Sequence, residues 1–217
     1  LKVNFFFFFR IPTFNDLYWE EGGNPNLKPE SSYQTEFCNV FTFKKFTLSE
    51  TLYYNKINDL IRWIPVNGDV WSPENTDRVN TYGSETILGW ANSYGKNSFA
   101  VNGTYAYTVS KNIDTNKQLF FVPYHKATAS FAYSYSRFSV DYQYLYNGFV
   151  YTRSDNDPNE IIDAYQVSNI GFNYDFKFLE SSKIGFQVLN VFNEKYESIE
   201  DRPMPGRNFN MYITLKF

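Results

Sequence analysis

Very few side chains in this sequence are of types that catalyse reactions or bind metals. The chain has one histidine, His125, and one cysteine, Cys38, so it cannot form an internal disulfide or a zinc site of the usual ligand types. The motifs G-x-S-x-G and H-E-x-x-H and a glycine-rich phosphate loop do not occur. We therefore predict that the protein is not an enzyme, because a single histidine offers little general-base chemistry.

Side chains that could bind a ligand lie in stretches rich in Asn, Asp, Gly and Pro. Four acidic residues between positions 155 and 163 could offer oxygen ligands to calcium in an outer loop, but the D-x-[DN]-x-[DN]-G spacing is absent. A solvated loop is the favoured interpretation, and no metal or other cofactor is predicted. Four aromatic residues in or beside such stretches could stack on a ligand or partner protein, or form an interface belt: Trp19, Trp63, Trp71 and Tyr151.

These stretches separate segments in which apolar and polar residues alternate, most clearly at the carboxyl end. The apolar residues there are Phe209, Met211, Ile213, Leu215 and Phe217, with polar or amphipathic residues between them. Alternation with a period of two places the apolar set on one face of an extended strand. A strand of about 10 residues rises roughly 33 Å and crosses a bilayer core when tilted by about 45°.

The same pattern recurs along the chain and predicts ten strands joined by connections that are alternately long and short. Long loops are predicted at 10–30, 65–80, 111–123, 153–160 and 194–206, and tight turns at 44–45, 95–97, 136–137 and 180–182. Five consecutive Phe residues at 5–9 break the alternation, because five neighbouring rings cannot all face lipid. That segment is interpreted as a buried strand or part of an interface belt.

The composition favours strands in a membrane over strands in a soluble domain. The chain contains 23 Phe, 19 Tyr and 4 Trp, as expected for aromatic girdles at two membrane interfaces. The net charge of −3 gives no basic footprint for nucleic acid. No run of about 18 apolar residues occurs, which excludes a membrane helix. The mean hydropathy of −0.46 still suits a barrel in which only alternate residues meet lipid. We predict an all-β, antiparallel, up-and-down transmembrane β-barrel, with a soluble antiparallel sandwich as the alternative.

Several loop and strand motifs resemble, in order, the β-barrel of TonB-dependent outer-membrane receptors. Residues 9–18 match the pattern F-R-x-P-[ST]-x-x-[ED]-L-Y, and residues 23–30 match G-N-P-x-L-K-P-E. Further matches at 53–61, 123–128, 188–196 and 205–209 extend the resemblance over nearly the whole chain. The resemblance implies structural roles for the motif positions Arg10, Pro12, Asn24, Pro25, Leu27, Pro29, Glu30, Asn190, Gly206 and Arg207.

The resemblance also implies what the chain is part of. Residues 1–217 are similar to about the last ten strands of a roughly 22-stranded barrel, and we expect neither a plug domain nor a TonB box among them. The family implies capture of a scarce nutrient at the cell surface and import energised by the TonB–ExbB–ExbD complex through the plug. Cobalamin (vitamin B12) is the leading ligand, and a ferric siderophore or haem is the alternative within the family.

Other partners and other classes of protein follow from the same interpretation. The expected partners are outer-membrane lipid, the barrel assembly machinery and a surface-exposed lipoprotein that captures the ligand. The alternatives of another class are a passive porin and a soluble, adhesin-like β protein. A barrel that acts as a protease or phospholipase stays open in principle.

The carboxyl-terminal Phe217 provides the first test. A terminal aromatic residue after alternating residues resembles the signal that the barrel assembly machinery recognises, so deletion of Phe217 is expected to lower the amount of assembled barrel in the outer membrane. The measurement is surface labelling of cells that express the full-length protein with and without this residue. Unchanged surface levels would contradict the assignment.

Overall fold

The computed structural model describes residues 1–67, 70–176 and 181–216, and in them ten strands pair into one antiparallel sheet. The predicted all-β architecture and number of strands are confirmed. The ten strands are β1 (Lys2–Arg10), β2 (Glu30–Phe43), β3 (Phe46–Asn67), β4 (Val70–Tyr94), β5 (Asn97–Asn112), β6 (His125–Tyr135), β7 (Phe138–Asn147), β10 (Tyr165–Phe176), β11 (Ser181–Leu189) and β14 (Asn208–Lys216). Each pairs with the next strand of this series, so β1 and β14 are the edges of the described sheet.

Short elements occupy the long connections. The connection between β1 and β2 contains the helix α1 (Phe14–Tyr18). The connection between β7 and β10 forms a ribbon of β8 (Val150–Tyr151) and β9 (Ile161–Ile162), and that between β11 and β14 forms a ribbon of β12 (Glu197–Ile199) and β13 (Arg202–Pro203). In the described ranges no helix is long and apolar enough to cross a membrane.

The two faces of the sheet differ in chemistry and in exposure. Along β2, Tyr33 and Phe37 are 59% and 45% exposed, whereas Gln34 and Glu36 on the opposite face are half-buried. A soluble sandwich would bury its aromatic face against a core. Here the aromatic face is the more exposed one, as expected when lipid covers it and the polar face lines the interior of a barrel.

The run of Phe residues at 5–9 divides between these two faces. The pairing of β1 with β2 places Phe5, Phe7 and Phe9 on the face of Tyr33, and the ring centroids of Phe7 and Tyr33 are 5.0 Å apart. Phe6 and Phe8 lie on the opposite face, where their rings stack 5.6 Å apart. The interpretation as a buried strand is wrong, because all five side chains are exposed on an edge strand.

The loop predicted at 65–80 is also wrong. The strands β3 and β4 continue through this region and pair from Phe46↔Trp90 to Asn67↔Val70. The prolines of this region predict a loop. Pro65 and Pro73 instead lie in the part of β3 and β4 where these two strands pair only with each other and form a two-stranded ribbon. Edge strands tolerate proline, because the outer side of each strand needs no backbone donor. This ribbon consists of residues 59–67 of β3 and 70–78 of β4 and is called the β3–β4 extension.

The remaining predicted connections agree with the structure to within a few residues. The turns at 44–45, 95–96 and 136–137 join their strands directly. The strand β5 continues to Asn112, two residues into the loop predicted at 111–123. Ser181 and Ser182, predicted above to lie in a turn, belong to β11, and the rest of that turn lies outside the described residues.

Close packing across three neighbouring strands makes Gly83 sensitive to substitution. The Tyr53 hydroxyl reaches across β4 to the Thr108 hydroxyl 2.7 Å away, and a Cβ on Gly83 would lie 2.8 Å from the Tyr53 hydroxyl and overlap the carbonyl oxygen of Tyr107. We expect Gly83→Ala to lower the free energy of unfolding by about 1–3 kcal/mol through overpacking. The measurement is urea unfolding of the full-length protein in detergent.

The matched control for this change is Gly103→Ala on the neighbouring strand. A Cβ there would meet no atom closer than Thr128 O at 3.8 Å. Equal loss of stability in the two variants would show that the overlap at Gly83 is relieved without cost.

Candidate functional site in the long connections

The β1–β2 connection is fastened at both of its ends by one ion pair. Arg10 donates hydrogen bonds of 2.7 and 3.0 Å to the carboxylate of Glu30, and it donates another to the carbonyl of Ile61 on β3. The amide of Ile61 in turn donates to Glu30 Oε2 at 3.0 Å. A bidentate pair is geometrically specific. The pair therefore closes the connection onto the first residues of the β3–β4 extension.

Asp16 anchors the middle of the same connection. Its side chain and that of Thr13 form a capping box at the start of α1, and Trp63 Nε1 donates to Asp16 Oδ1 at 2.9 Å. Burial raises the pKa of Asp16, but hydrogen bonds from Thr13 and Trp63 and the charge of Arg10 outweigh burial, so the pKa lies below its ordinary value. Trp63, considered above as a ligand contact, thus uses its indole donor to hold the connection.

Two asparagines attach the second half of the connection to the β3–β4 extension. Asn24 Nδ2 donates to the carbonyl of Pro73 at 3.1 Å. Asn75 accepts a hydrogen bond from the amide of Lys28 and donates to its carbonyl, at 2.9 and 3.0 Å. Among the other motif positions of this connection, Pro12 and Leu27 are half-buried, and Pro25 and Pro29 are exposed.

Asn190 organises the connection between β11 and β14. It is 3% exposed, and its side chain bonds both the amide and the carbonyl of Glu194 and the carbonyl of Pro205. Asn193 Oδ1 accepts from the amide of Arg207 at 2.9 Å. A Cβ on Gly206 would lie 2.7 Å from the same oxygen, so a larger residue would displace this bond.

The three aromatic residues expected to contact a ligand or partner are not brought together into one site. Trp19 is 52% exposed and follows α1 in the β1–β2 connection, and Trp71 is 40% exposed on β4 of the extension rather than in a loop. Tyr151 belongs to β8, where its ring packs edge-on against Phe149 at 5.6 Å. His125 stacks with Tyr105 and accepts or donates a hydrogen bond at Nδ1. The contact roles of Trp19, Trp71 and Tyr151 stay predictions.

Carboxylate oxygens of the acidic loop at 155–163 accept hydrogen bonds in turns and form an ion pair. Asp155 accepts from the amide of Asp157, Asp157 accepts from Asn159, and Glu160 pairs with Arg153 at 3.0 Å. Within the described ranges no group of three or more His, Cys, Asp or Glu residues could hold a metal ion. Three of the four carboxylates of this loop are therefore engaged in turns or in an ion pair.

Sequence reasoning missed one residue, Arg62 on the β3–β4 extension. It lies sixteen residues beyond Phe46, where β3 begins. That distance is about 53 Å along a strand, or about 37 Å along the membrane normal at a tilt of roughly 45°, which exceeds a hydrocarbon core of about 30 Å. Arg62 is thus outside the membrane, and burial lowers its pKa to about 10. No local sequence signal marks it, because its surroundings come from distant connections.

The sheet is antiparallel, its aromatic side faces lipid, and it has short turns at one end and long connections at the other. These features define an outer-membrane β-barrel protein. Residues 8–193 match the family described as TonB dependent receptor-like, beta-barrel. The chain therefore belongs to this family, as the sequence motifs indicated, and its place is the outer membrane. The family is one of receptors and transporters rather than enzymes.

Relatives of known name and structure agree with this assignment. Proteins named vitamin B12 transporter BtuB, from Photobacterium profundum and from Vibrio vulnificus strain YJ016, are each 30% identical to it over 96% of this chain. The chain spans about a third of the length of these relatives (34% and 33%).

Solved structures share the fold at low sequence identity. The copper transporter OprC superposes with a TM-score of 0.79 at 16% identity, over 97% of this chain and 35% of its own. The ferric-catecholate import receptor Fiu of E. coli superposes with a TM-score of 0.72 at 19% identity, over 97% of this chain and 32% of its own.

The buried carboxylate of Asp16 makes the docking of the β1–β2 connection testable. Asp16→Asn removes the charge that Thr13, Trp63 and Arg10 stabilise, at a cost of about 1–3 kcal/mol for a buried charged acceptor. We expect faster proteolysis of the connection in cells that display the full-length protein. Because the folded pKa of Asp16 is depressed, its contribution is present above the unfolded value of 3.8 and is lost as the pH falls through the folded pKa.

The control is Glu20→Gln, which changes an exposed carboxyl group of the same connection. Cleavage at the wild-type rate in Asp16→Asn would show that the connection is held without this carboxylate.

Proposed function

We propose that this chain forms part of the barrel of an outer-membrane receptor that captures a scarce nutrient and imports it with energy from the TonB–ExbB–ExbD complex. The observation that carries the proposal is the match of the chain to the receptor barrel family over residues 8–193. The plug domain through which the energy complex acts would lie in another part of the full-length protein. The polar inner face of the strands suits contact with such a domain and with water.

Cobalamin is the ligand that we propose first. Two relatives that match 96% of the chain are named vitamin B12 transporters, and 30% identity over that length supports a related ligand. The order of the long connections and the hydrogen bonds that fix them suit a rigid surface outside the membrane. Rigid elements position ligand contacts better than mobile ones.

A metal chelate such as a ferric siderophore is the second candidate. Neighbours by structure include a copper transporter and a ferric-catecholate import receptor. Haem, considered with siderophores above, belongs to the same alternative. A passive porin is disfavoured because ordered connections such as the docked β1–β2 segment occupy space outside the membrane that an open channel has no need to fill.

The experiment is calorimetric titration of the purified full-length receptor with cyanocobalamin and with a panel of ferric siderophores and haem. We expect saturable binding of cyanocobalamin with a dissociation constant in the nanomolar range, roughly −12 kcal/mol. Import that stops when TonB is deleted would support the active mechanism.

Other outcomes change the proposal in defined ways. Binding of a siderophore or haem alone would keep the receptor class and replace the ligand. Solute flux that continues without TonB and without saturable binding would contradict active transport and favour the porin.

A further inference from the structure

A cavity of about 570 Å³ lies among the connections outside the membrane. Its walls come from the β3–β4 extension, from the connection between β5 and β6, and from the connection that contains β8. Arg62 enters it from the extension, over the ring of Phe120, which is 5% exposed. None of the three aromatic residues proposed above as contacts lines this cavity, so it is a separate feature of the same outer surface.

Two buried polar side chains of the walls, those of Gln118 and Thr152, are already engaged in hydrogen bonds. Gln118, 2% exposed, accepts from the amide of Ser110 and donates to the carbonyl of Val122, while Asn156 bonds both its amide and its carbonyl. Thr152, also 2% exposed, donates its hydroxyl to the carbonyl of Glu160 at 3.1 Å. The shape of the cavity is therefore set before any ligand arrives, which lowers the entropy cost of binding.

Arg62 is a half-buried wall residue whose hydrogen-bonding capacity is largely unused. A guanidinium has five N–H donors, and in the described part of the chain Arg62 makes one hydrogen bond, from Nη2 to the carbonyl of Phe120 at 3.3 Å. Its guanidinium carbon lies 3.8 Å from the centroid of the Phe120 ring. That stacking holds the plane of the guanidinium in position and leaves its edge for another partner.

Arg62 forms no ion pair among the side chains that the structure describes, and burial accounts for its lowered pKa. Two carboxylates line the same cavity, Asp155 and Glu74, the second of which lies opposite Arg62 on β4. By contrast, the other arginine of the cavity, Arg153, pairs with Glu160 at 3.0 Å and Glu200 at 2.9 Å. A half-buried cation without an ion-pair partner has lost part of its hydration, and an anion that entered the cavity would offset that cost.

We propose that this cavity binds an oxyanion group, a carboxylate or a phosphate, and that Arg62 receives it through the free edge of its guanidinium. Paired N–H donors in one plane match the two oxygens of such a group. The identity of the molecule that carries the group rests on the proposed function. A phosphodiester in cobalamin and a carboxylate in a siderophore would both present the required oxygens.

The first experiment uses citrate as a probe and does not depend on which nutrient is imported. Full-length receptor in detergent is titrated with citrate at constant ionic strength, as wild type and as Arg62→Gln, Arg62→Lys and Arg78→Gln. Arg78 is the matched control, since it is an exposed arginine that pairs with Asp114 at 3.0 Å and lies outside the cavity lining.

We expect Arg62→Gln to weaken citrate binding by at least about tenfold, because it removes charge-assisted hydrogen bonds. Arg62→Lys should restore part of the affinity, since it keeps the charge but loses the planar pair of donors. Arg78→Gln should bind within about twofold of wild type. A purely structural role would lower the amount of folded receptor in Arg62→Gln without changing the affinity of the folded fraction.

The second experiment separates this inference from the proposed function. Wild type and Arg62→Gln are titrated with cyanocobalamin, which carries a phosphodiester, and with cobinamide, which lacks it. A loss of affinity for cyanocobalamin alone would identify cobalamin as the source of the oxyanion.

Citrate binding that depends on Arg62, without any binding of cobalamin, would keep the anion site and replace the nutrient. Two results would overturn the anion site and keep the receptor function. The first is cobalamin binding without saturable citrate binding. The second is cobalamin binding together with citrate binding that Arg62→Gln leaves unchanged.

Discussion

Backbone hydrogen bonding between neighbouring strands is the constraint on which the rest of this structure depends. The hydrocarbon core of a membrane offers no partner to an amide or a carbonyl, so each strand must be paired along the part that lipid surrounds. The eight inner strands meet this requirement by pairing on both sides in sequence order, and β1 and β14 are each paired on one side of the described sheet. Pairing in turn makes successive side chains alternate between lipid and the interior, which explains the aromatic outer face and the polar inner one.

Outside the membrane the same need is met by side chains. Glu30 accepts from Arg10 and from the amide of Ile61, and Asn190 bonds three backbone groups in the connection before β14. Asn75 replaces a strand partner for Lys28 by bonding both its amide and its carbonyl. Carboxylates and carboxamides can satisfy several backbone groups at once. They therefore hold long connections in fixed positions where no neighbouring strand is available.

Arg62 differs from these residues because most of its donors are not used in holding the connections. The connections around it are held by hydrogen bonds of Gln118, Thr152 and Asn156. Glu74 and Asp155 line the same cavity, but neither forms an ion pair with Arg62 among the side chains that the structure describes. The strength of an interaction with such a cation depends on its being shielded from water. Walls held by hydrogen bonds beside a guanidinium with unused donors are the arrangement expected of a binding cavity.

The sequence by itself determined the strands, their two faces and the family. Each of these is a local property, because a period of two, a short turn such as that at 136–137 and a motif such as the one at 23–30 can be recognised without knowing what lies nearby in space. The motif pattern also indicated Arg10, Glu30 and Asn190, but it did not say which atoms they contact.

Tertiary structure alone decided the β3–β4 extension and the cavity. Prolines at 65 and 73 suggested a loop, since the sequence could not show that these strands lack outer neighbours or that Asn24 and Trp63 join them to the β1–β2 connection. The partner of Arg62, Phe120, is 58 residues away along the chain. Contacts over such separations depend on how the connections fold back on one another, and that is a property of the assembled sheet rather than of any one segment.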